Sequence, residues 1–125
     1  MPKSVLVVED EDSIALALEF LMGREGYELR RVGSGPAALE AIRERPPDLV
    51  LLDVMLPGCS GYEVCQSIRL DPALANTKIL IMTAKGGEVE RRKGLALGAD
   101  AFVTKPFSTS ELKTTVRRLL DGEAV

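Results

Sequence analysis

The chain has 125 residues, 28% charged and 46% hydrophobic, and its 16 Lys and Arg against 19 Asp and Glu give a formal net charge of -3. This length predicts one domain, residues 1–125, with one hydrophobic core. The acidic balance, with a pI near 5.1 and 4% aromatic residues, argues against direct nucleic-acid contact by this domain. Because the chain contains no histidine, imidazole-based triads and His-containing zinc sites are excluded, and any phosphohistidine must come from another molecule.

The two cysteines and the N-terminal segment bear on where the protein is found. Cys59 and Cys65 fit neither a CxxC pair nor a disulfide framework, so we expect free thiols and a cytoplasmic protein. The first apolar run, residues 5–8, ends at Glu9 and Asp10 and is too short for a signal-peptide core or a membrane span. We therefore expect no membrane attachment.

Short apolar runs predict the strands. The first, third and fourth strands are predicted at residues 5–8, 49–52 and 79–82, where the runs are uniformly apolar. Weaker runs at 28–32 and 101–104 predict the second and the fifth strands. Runs without polar alternation indicate strands that are buried on both faces, as in parallel sheets.

Segments with helical spacing lie between these strands. Gly35-Pro36 predicts the start of the second helix, and Gly98 stands where the fourth helix would end in a left-handed residue. Ser108, with Glu111 three residues later, is a capping-box signature for the start of the fifth helix. The apolar faces of the first and fifth helices are formed by Ile14, Leu18, Leu21 and Met22, and by Leu112, Val116, Leu119 and Leu120.

The alternation of five strands with five helices predicts the fold class. Right-handed crossovers between parallel strands give an α/β fold with a doubly wound five-stranded parallel sheet, order 2-1-3-4-5, which is flavodoxin-like. That order makes the first and third strands neighbours at a switch point. Sites in such sheets form beyond the carboxyl ends of the strands, so the residues that follow each strand are the candidates for chemistry.

Acidic, hydroxyl and basic side chains follow the strands at this edge. Glu9 and Asp10 follow the first strand, Asp53 the third, Thr83 the fourth and Lys105 the fifth. Three carboxylates about 5 Å apart would repel by about 3 kcal/mol per pair at an effective dielectric of 20, so such a cluster needs a cation or a raised pKa. Oxygen ligands indicate a hard cation, and few protein ligands favour Mg²⁺. With Lys105 and the Thr83 hydroxyl nearby, the site is typical of a phosphoryl acceptor with Asp53 as the nucleophile.

The order and spacing of these residues resemble the receiver domain of two-component response regulators. The resemblance covers essentially the whole chain, and five placed elements occur in the expected order. The segments that carry it are Glu9-Asp10 after VLVV, Asp53 after LVLL, Thr83-Ala84 after ILIM, Lys105-Pro106-Phe107, and the phrases LPGCSGYEVCQSIR and LGADAFVTKPF.

The resemblance implies a phosphorylation-dependent signalling switch and not a turnover enzyme. A sensor histidine kinase or a histidine phosphotransfer protein would present phosphohistidine, and Asp53 would accept the phosphoryl group. Mg²⁺ would be held by Asp10, Asp53 and the backbone carbonyl of Met55, with Glu9 assisting through a water.

The resemblance also implies a set of phosphoryl-binding and switch residues, namely Thr83, Ala84, Lys105 and Phe102. Thr83 and Lys105 would bind the phosphoryl oxygens, and an inward movement of Thr83 would leave space for Phe102 to rotate. Pro106 is a candidate for a cis peptide bond.

The expected output is a change in the surface formed by the fourth helix, the fifth strand and the fifth helix, through which a homodimer is possible. The fourth helix, within GEVERRKGLALG, is weakly apolar and contains Gly94, as expected of an element that shifts.

Two positions depart from the commonest pattern of the family. Ser60 stands where many relatives have an acidic residue, and Phe102 replaces a frequent Tyr, which excludes a switch that depends on that hydroxyl. The positions two beyond the acceptor and two beyond the threonine, Met55 and Lys85, tune hydrolysis in the family. Because an apolar Met55 cannot orient water, we expect slow self-dephosphorylation.

Three questions stay open from the sequence. The four acids from Glu9 to Asp12 could interact with a helix dipole, and we take Glu9 and Asp10 as the pair at the metal because they directly follow the strand. A degenerate receiver that acts only as a docking module is an alternative function. A Mg²⁺-dependent phosphohydrolase is a less favoured one, because that chemistry needs a second Asp at the position of Met55.

Overall fold

The computed structural model describes residues 2–84 and 87–122. Within those ranges, five parallel strands lie in the order β2-β1-β3-β4-β5, so the predicted fold class is confirmed. None of the described helices has the length and apolar character needed to cross a membrane. The strands are β1 (Ser4–Val8), β2 (Glu28–Val32), β3 (Leu49–Asp53), β4 (Lys78–Thr83) and β5 (Ala101–Thr104), and the helices are α1 (Asp12–Arg24), α2 (Gly35–Glu44), α3 (Gly61–Leu70), α4 (Glu88–Ala96) and α5 (Thr109–Leu120), with a 3₁₀ turn at Pro72–Leu74.

The central strands are buried on both faces, as the uniform apolar runs predict. Every residue of β3 is buried, and successive residues of β1 enter opposite cores. Leu6 and Val8 pack in the core beneath α2 and α3, whereas Val5 and Val7 pack in the core beneath α1 and α5. Each such side chain stabilises the fold by about 1.5–3 kcal/mol on full burial.

The edge strand β2 is only half-buried, which explains its weaker signal in the sequence. Its partner on one side is β1, with Ser4 opposite Glu28 and Val8 opposite Val32. No other strand of the described residues pairs with its outer edge. Charged residues such as Arg30 and Arg31 are therefore tolerated in the middle of this strand.

Serine side chains cap three of the helices. Ser34, Ser60 and Ser108 each accept a hydrogen bond from the backbone N–H three residues later, at 3.2, 3.2 and 3.4 Å. Ser60, the departure from the family pattern, thus caps α3. Gly98, with φ +107°, follows the end of α4 in the conformation that glycine adopts most readily.

The helix α4 is lightly anchored. Within α4, Gly94 is the buried residue, and a Cβ there would lie 3.1 Å from Ile81 and 3.4 Å from Phe102. The Tyr62 hydroxyl at the start of α3 donates a hydrogen bond to Glu90 at 2.5 Å. The helix is therefore held by few interactions, in agreement with the low stability that its sequence predicts.

The segment after β3 is fixed by close backbone contacts to two helix starts. A Cβ at Gly61, the first residue of α3, would collide with the carbonyl oxygen of Asp53. A Cβ at Gly35, the first residue of α2, would collide with Cys59, and the Gly35 amide donates to the Pro57 carbonyl at 3.1 Å. These contacts hold residues 54–60 against the end of β3.

We expect Gly61→Ala to lower the free energy of unfolding by about 2 kcal/mol, because the new methyl group would meet backbone that cannot move aside cheaply. Urea unfolding followed by circular dichroism measures this change. Gly23→Ala is the matched control, since its Cβ would meet only Leu29, at 3.9 Å, and the helix should gain about 0.5 kcal/mol. Equal effects at the two glycines would contradict this account.

Candidate functional site

Three acids converge where β1 and β3 end. One carboxylate oxygen from each of Glu9, Asp10 and Asp53 lies within 4.8 Å of those of the other two. Glu9 is fully buried and Asp53 is 6% exposed, whereas Asp10 is exposed to solvent. The neighbouring positions of β1 and β3, with Val8 opposite Leu52, produce this convergence.

The ammonium of Lys105 lies between two of these acids. Its Nζ is 2.7 Å from Oε1 of Glu9 and 3.3 Å from Oδ2 of Asp53. The backbone at Lys105 is tied to the end of β4, because its amide donates to the Thr83 carbonyl at 2.8 Å; the peptide bond between Lys105 and Pro106 is cis. Among the described residues, Lys105 is the lysine that contacts this cluster, and it binds two of the three carboxylates.

Burial and this crowding shift the ionisation of both partners. Burial raises the pKa of Glu9, and the charge of Asp53 adds to the rise, against the hydrogen bonds from Lys105 and the Glu11 amide. Burial alone would lower the pKa of Lys105, but the hydrogen bond to Glu9 and the charges of Asp53 and Glu9 outweigh it, so this pKa is raised from 10.5. The lysine thus contributes stability that is lost only as the pH rises above 10.5 through its folded-state pKa.

A cavity of about 700 Å³ opens over Asp53. Glu9 does not line this cavity, because its side chain lies beneath, bound to Lys105. Met55 is 62% exposed at the rim, and its amide lies 3.3 Å from Oδ1 of Asp53. The lining residues are Asp10, Glu11, Asp53, Met55, Ala84, Lys105, Pro106 and Phe107, with Ser13, Ile14 and Ala17 from α1.

The two residues expected to couple the site to the surface lie apart from each other. Thr83 is buried at the end of β4, 1% exposed and opposite Thr104 in β5. Phe102 is half-buried and lines a second cavity, of about 370 Å³, beside α4. Thr83 is therefore at the carboxyl end of β4 but is not among the residues that line the cavity over Asp53, and Phe102 lies against Gly94 of α4. Lys85 lies outside the described residues.

Sequence reasoning missed one residue that touches the acidic turn. The guanidinium of Arg31 donates two hydrogen bonds to the backbone carbonyl of Glu9, at 3.1 and 2.8 Å, and a third to Asp12 at 2.9 Å. A charged residue in an edge strand is ordinarily solvated, so its type alone gives no signal. Its position just before the end of β2, beside the end of β1, is the feature that could have indicated it.

The fold and the acidic edge together define a class of doubly wound α/β domains with an acidic cluster at the carboxyl ends of the strands, and comparison with known proteins gives the family. The family model described as the response regulator receiver domain matches residues 5–117. The chain therefore belongs to the response regulator receiver domain family. Receiver domains of two-component response regulators are signalling switches that histidine kinases phosphorylate, not turnover enzymes, and they bind Mg²⁺ at an acidic pocket. Because members of this family are not turnover enzymes, membership argues against the alternative function of a Mg²⁺-dependent phosphohydrolase.

Individual relatives agree with this assignment. The chain is 46% identical over 117 residues to the sensory transduction protein RegX3 of Mycolicibacterium smegmatis, covering 94% of this chain and 50% of the relative. It is 44% identical over 120 residues to the phosphate regulon transcriptional regulatory protein PhoB of Rhizobium meliloti, covering 96% and 52%. The chain thus spans about half the length of these curated relatives.

Solved structures give the same result. The chemotaxis response regulator CheY4 of Vibrio cholerae superposes with a TM-score of 0.88 at 28% identity, covering 95% of this chain and 99% of that one. The receiver domain of a signal transduction histidine kinase from Syntrophus aciditrophicus superposes with a TM-score of 0.89 at 31% identity, covering 96% and 91%. The fold is therefore that of receiver domains.

We expect Asp10→Asn to raise the free energy of unfolding in EDTA by about 1 kcal/mol, because it removes one of three neighbouring negative charges. The gain should shrink in high salt, which screens an exposed charge. Urea unfolding at low and high salt measures both effects. Asp12→Asn is the matched control, since Asp12 binds Arg31 outside the cluster and its loss should leave stability unchanged or slightly lower. A destabilised Asp10→Asn protein would contradict the repulsion.

Proposed function

We propose that residues 1–125 form one receiver domain, cytoplasmic in location, in which Asp53 accepts a phosphoryl group from the phosphohistidine of a sensor histidine kinase or histidine phosphotransfer protein. The observation that supports this most directly is the position of Asp53. Its carboxylate is nearly buried at the floor of an open cavity, with Asp10 and the Lys105 ammonium on either side. We assign this phosphoryl-accepting role to the receiver domain alone.

The chemistry follows from the groups that face the cavity. A carboxylate oxygen of Asp53 attacks phosphorus, a P–O bond forms, and the P–N bond to the donor imidazole breaks. The Lys105 ammonium, 3.3 Å from Asp53, would bind a phosphoryl oxygen, with Ala84 on the wall of the same cavity and Thr83 just before it at the end of β4. Negative charge that develops on the phosphoryl group is thereby stabilised by preorganised donors.

The donor set fits Mg²⁺. Oxygen atoms of Asp10, Asp53 and the Met55 carbonyl would hold the ion, and all three residues line one cavity with room for water. The ion supplies charge neutralisation between the acceptor and the incoming phosphoryl oxygens. Glu9 binds Lys105 directly, so its contribution is to hold the ammonium, and a water-mediated contact to the ion stays a prediction.

Access to Asp53 indicates where the phosphodonor docks. The cavity is bounded by α1 on one side and by Pro106 and Phe107 on the other, with Ile14 and Ala17 among its lining residues. A phosphohistidine has to enter between these walls to come within reach of the carboxylate. The partner therefore contacts α1 and the segment that leads into α5, and this domain needs no nucleic-acid contact for the reaction.

The output is proposed to run through α4, β5 and α5. Phe102 of β5 lies against Gly94 of α4, so a rotation of its ring changes the packing of that helix. The few contacts of α4 make it the element that responds at the lowest cost in free energy. Homodimerisation through this same surface stays a prediction.

We expect incubation with acetyl phosphate and Mg²⁺ to add the mass of one phosphoryl group to the wild-type protein and none to Asp53→Asn. Intact-mass spectrometry makes this measurement, and EDTA should abolish the label. Asp48→Asn is the matched control, because Asp48 lies at the opposite end of β3, where it accepts from the Ser4 amide. Wild-type protein that stays unlabelled with both reagents present would instead support the docking-module alternative.

We expect the phosphoryl group to persist for minutes or longer, because the apolar side chain of Met55 at the cavity rim cannot orient an attacking water. Met55→Asn should accelerate loss of the phosphoryl group about tenfold by supplying an amide that positions water. Timed intact-mass measurements after removal of acetyl phosphate give both rates. Met55→Leu is the control and should decay at the wild-type rate; decay of wild-type phosphoprotein within seconds contradicts this proposal.

A further inference from the structure

The backbone of Glu9 is anchored from β2 on both sides of the residue. Its amide donates to the Val32 carbonyl at 3.1 Å, one position beyond the last paired residues of β1 and β2. Its carbonyl accepts from both Nε and one terminal nitrogen of Arg31, at 3.1 and 2.8 Å. The strand therefore ends in a fixed conformation where chains ordinarily begin to fray into a loop.

The same guanidinium acts on a second residue of the acidic turn. Its remaining terminal nitrogen binds Oδ1 of Asp12 at 2.9 Å, and the Arg31 side chain is 28% exposed. A guanidinium has a rigid planar arrangement of donors, so one side chain fixes the relative positions of the groups that it binds. Here those groups are the carbonyl of Glu9 and the carboxylate of Asp12, which flank Asp10.

We propose that Arg31 is a positioning residue for the cation site, acting through the backbone of the acidic turn. By fixing the Glu9 carbonyl, Arg31 directs the Glu9 side chain inward to Lys105 and leaves the next side chain, Asp10, on the cavity. By binding Asp12, it keeps the fourth acid of the turn out of the cluster. This inference rests on the proposed function, because it concerns the site that Asp10 and Asp53 form.

Charge and position make opposite predictions for this residue. A guanidinium near three carboxylates reduces the local negative potential, so charge alone predicts that Mg²⁺ binds more tightly when Arg31 is removed. Position predicts weaker binding, because partners that orient metal ligands commonly contribute tenfold or more to affinity. Arg31→Lys separates the two, since it keeps the charge and loses the planar donor arrangement.

The neighbouring residue of β2 provides a matched control. Arg30 also binds two backbone carbonyls with its guanidinium, those of Ala41 at 3.3 Å and Arg45 at 2.5 Å. These carbonyls belong to the end of α2, away from the acidic turn. Arg30→Met and Arg31→Met therefore each remove two guanidinium hydrogen bonds to backbone carbonyls, and Arg31→Met removes in addition the ion pair with Asp12; only the interactions of Arg31 touch the site.

The test is a Mg²⁺ titration of the ¹⁵N-labelled chain, followed through the backbone amide resonances of Asp10 and Met55. We expect Arg31→Lys to weaken Mg²⁺ binding about tenfold and Arg31→Met by a similar factor. Arg30→Met should bind Mg²⁺ within about twofold of wild type, although urea unfolding should show both Met variants destabilised. Before Mg²⁺ is added, the amide shifts of Glu9 to Asp12 should change in the Arg31 variants and not in Arg30→Met.

Each of the other possible results contradicts either the positioning role of Arg31 or the proposed function. Wild-type affinity in Arg31→Lys, or tighter binding in Arg31→Met, overturns the positioning role in favour of charge alone. Weakening by Arg30→Met as large as that by Arg31→Met also overturns it, because general destabilisation would then explain both. A wild-type protein that binds no Mg²⁺ at these resonances removes the proposed function itself, and the inference with it.

Discussion

The organisation of the site depends on the ammonium of Lys105, which is shared between the buried carboxylates of Glu9 and Asp53. Lys105 lies 96 residues after Glu9, and it reaches both Glu9 and Asp53 only because β1, β3, β4 and β5 are parallel and end at one edge of the sheet. Removing one partner would leave a buried charge without compensation, which costs several kcal/mol in typical proteins. Among the described residues, this arrangement sets three neighbouring carboxylates against the ammonium of Lys105, an imbalance that a bound cation would offset.

The sequence predicts the strands and helix ends well, because burial and helix capping each restrict which residue types can occupy a position. Strands covered on both faces must be apolar along their buried stretches, as β1, β3 and β4 are. Ser108 marks a helix start through its capping hydrogen bond, and Gly98 marks a helix end through its left-handed backbone; only a few residue types support either feature. The edge strand β2 gives a weaker signal because water covers part of it. Serine at position 60 breaks the family pattern but keeps a cap.

The site is less predictable where contacts are long-range and acids are buried. An isolated sequence indicates a solvated carboxylate at Glu9, yet this side chain is fully buried, and only the reach of Lys105 explains why. The residue type of Arg31 gives no signal either, since its target is a backbone carbonyl, which every residue type supplies; only its position at the end of β2 could have indicated the contact. Resemblance to a family indicates which residues react, whereas Arg31, which holds the backbone beside them, is identified only from its hydrogen bonds in the structure.

Two adjacent residues at the start of α3 connect the acceptor to a distant helix. Gly61 lies so close to the Asp53 carbonyl that no side chain fits between them, and Tyr62 holds Glu90 of α4 through its hydroxyl. The helix α3 therefore contacts the end of β3 through its first residue and α4 through its second. A movement of the Asp53 backbone would therefore meet α3 directly, and α3 contacts α4 through a hydrogen bond that involves neither Thr83 nor Phe102.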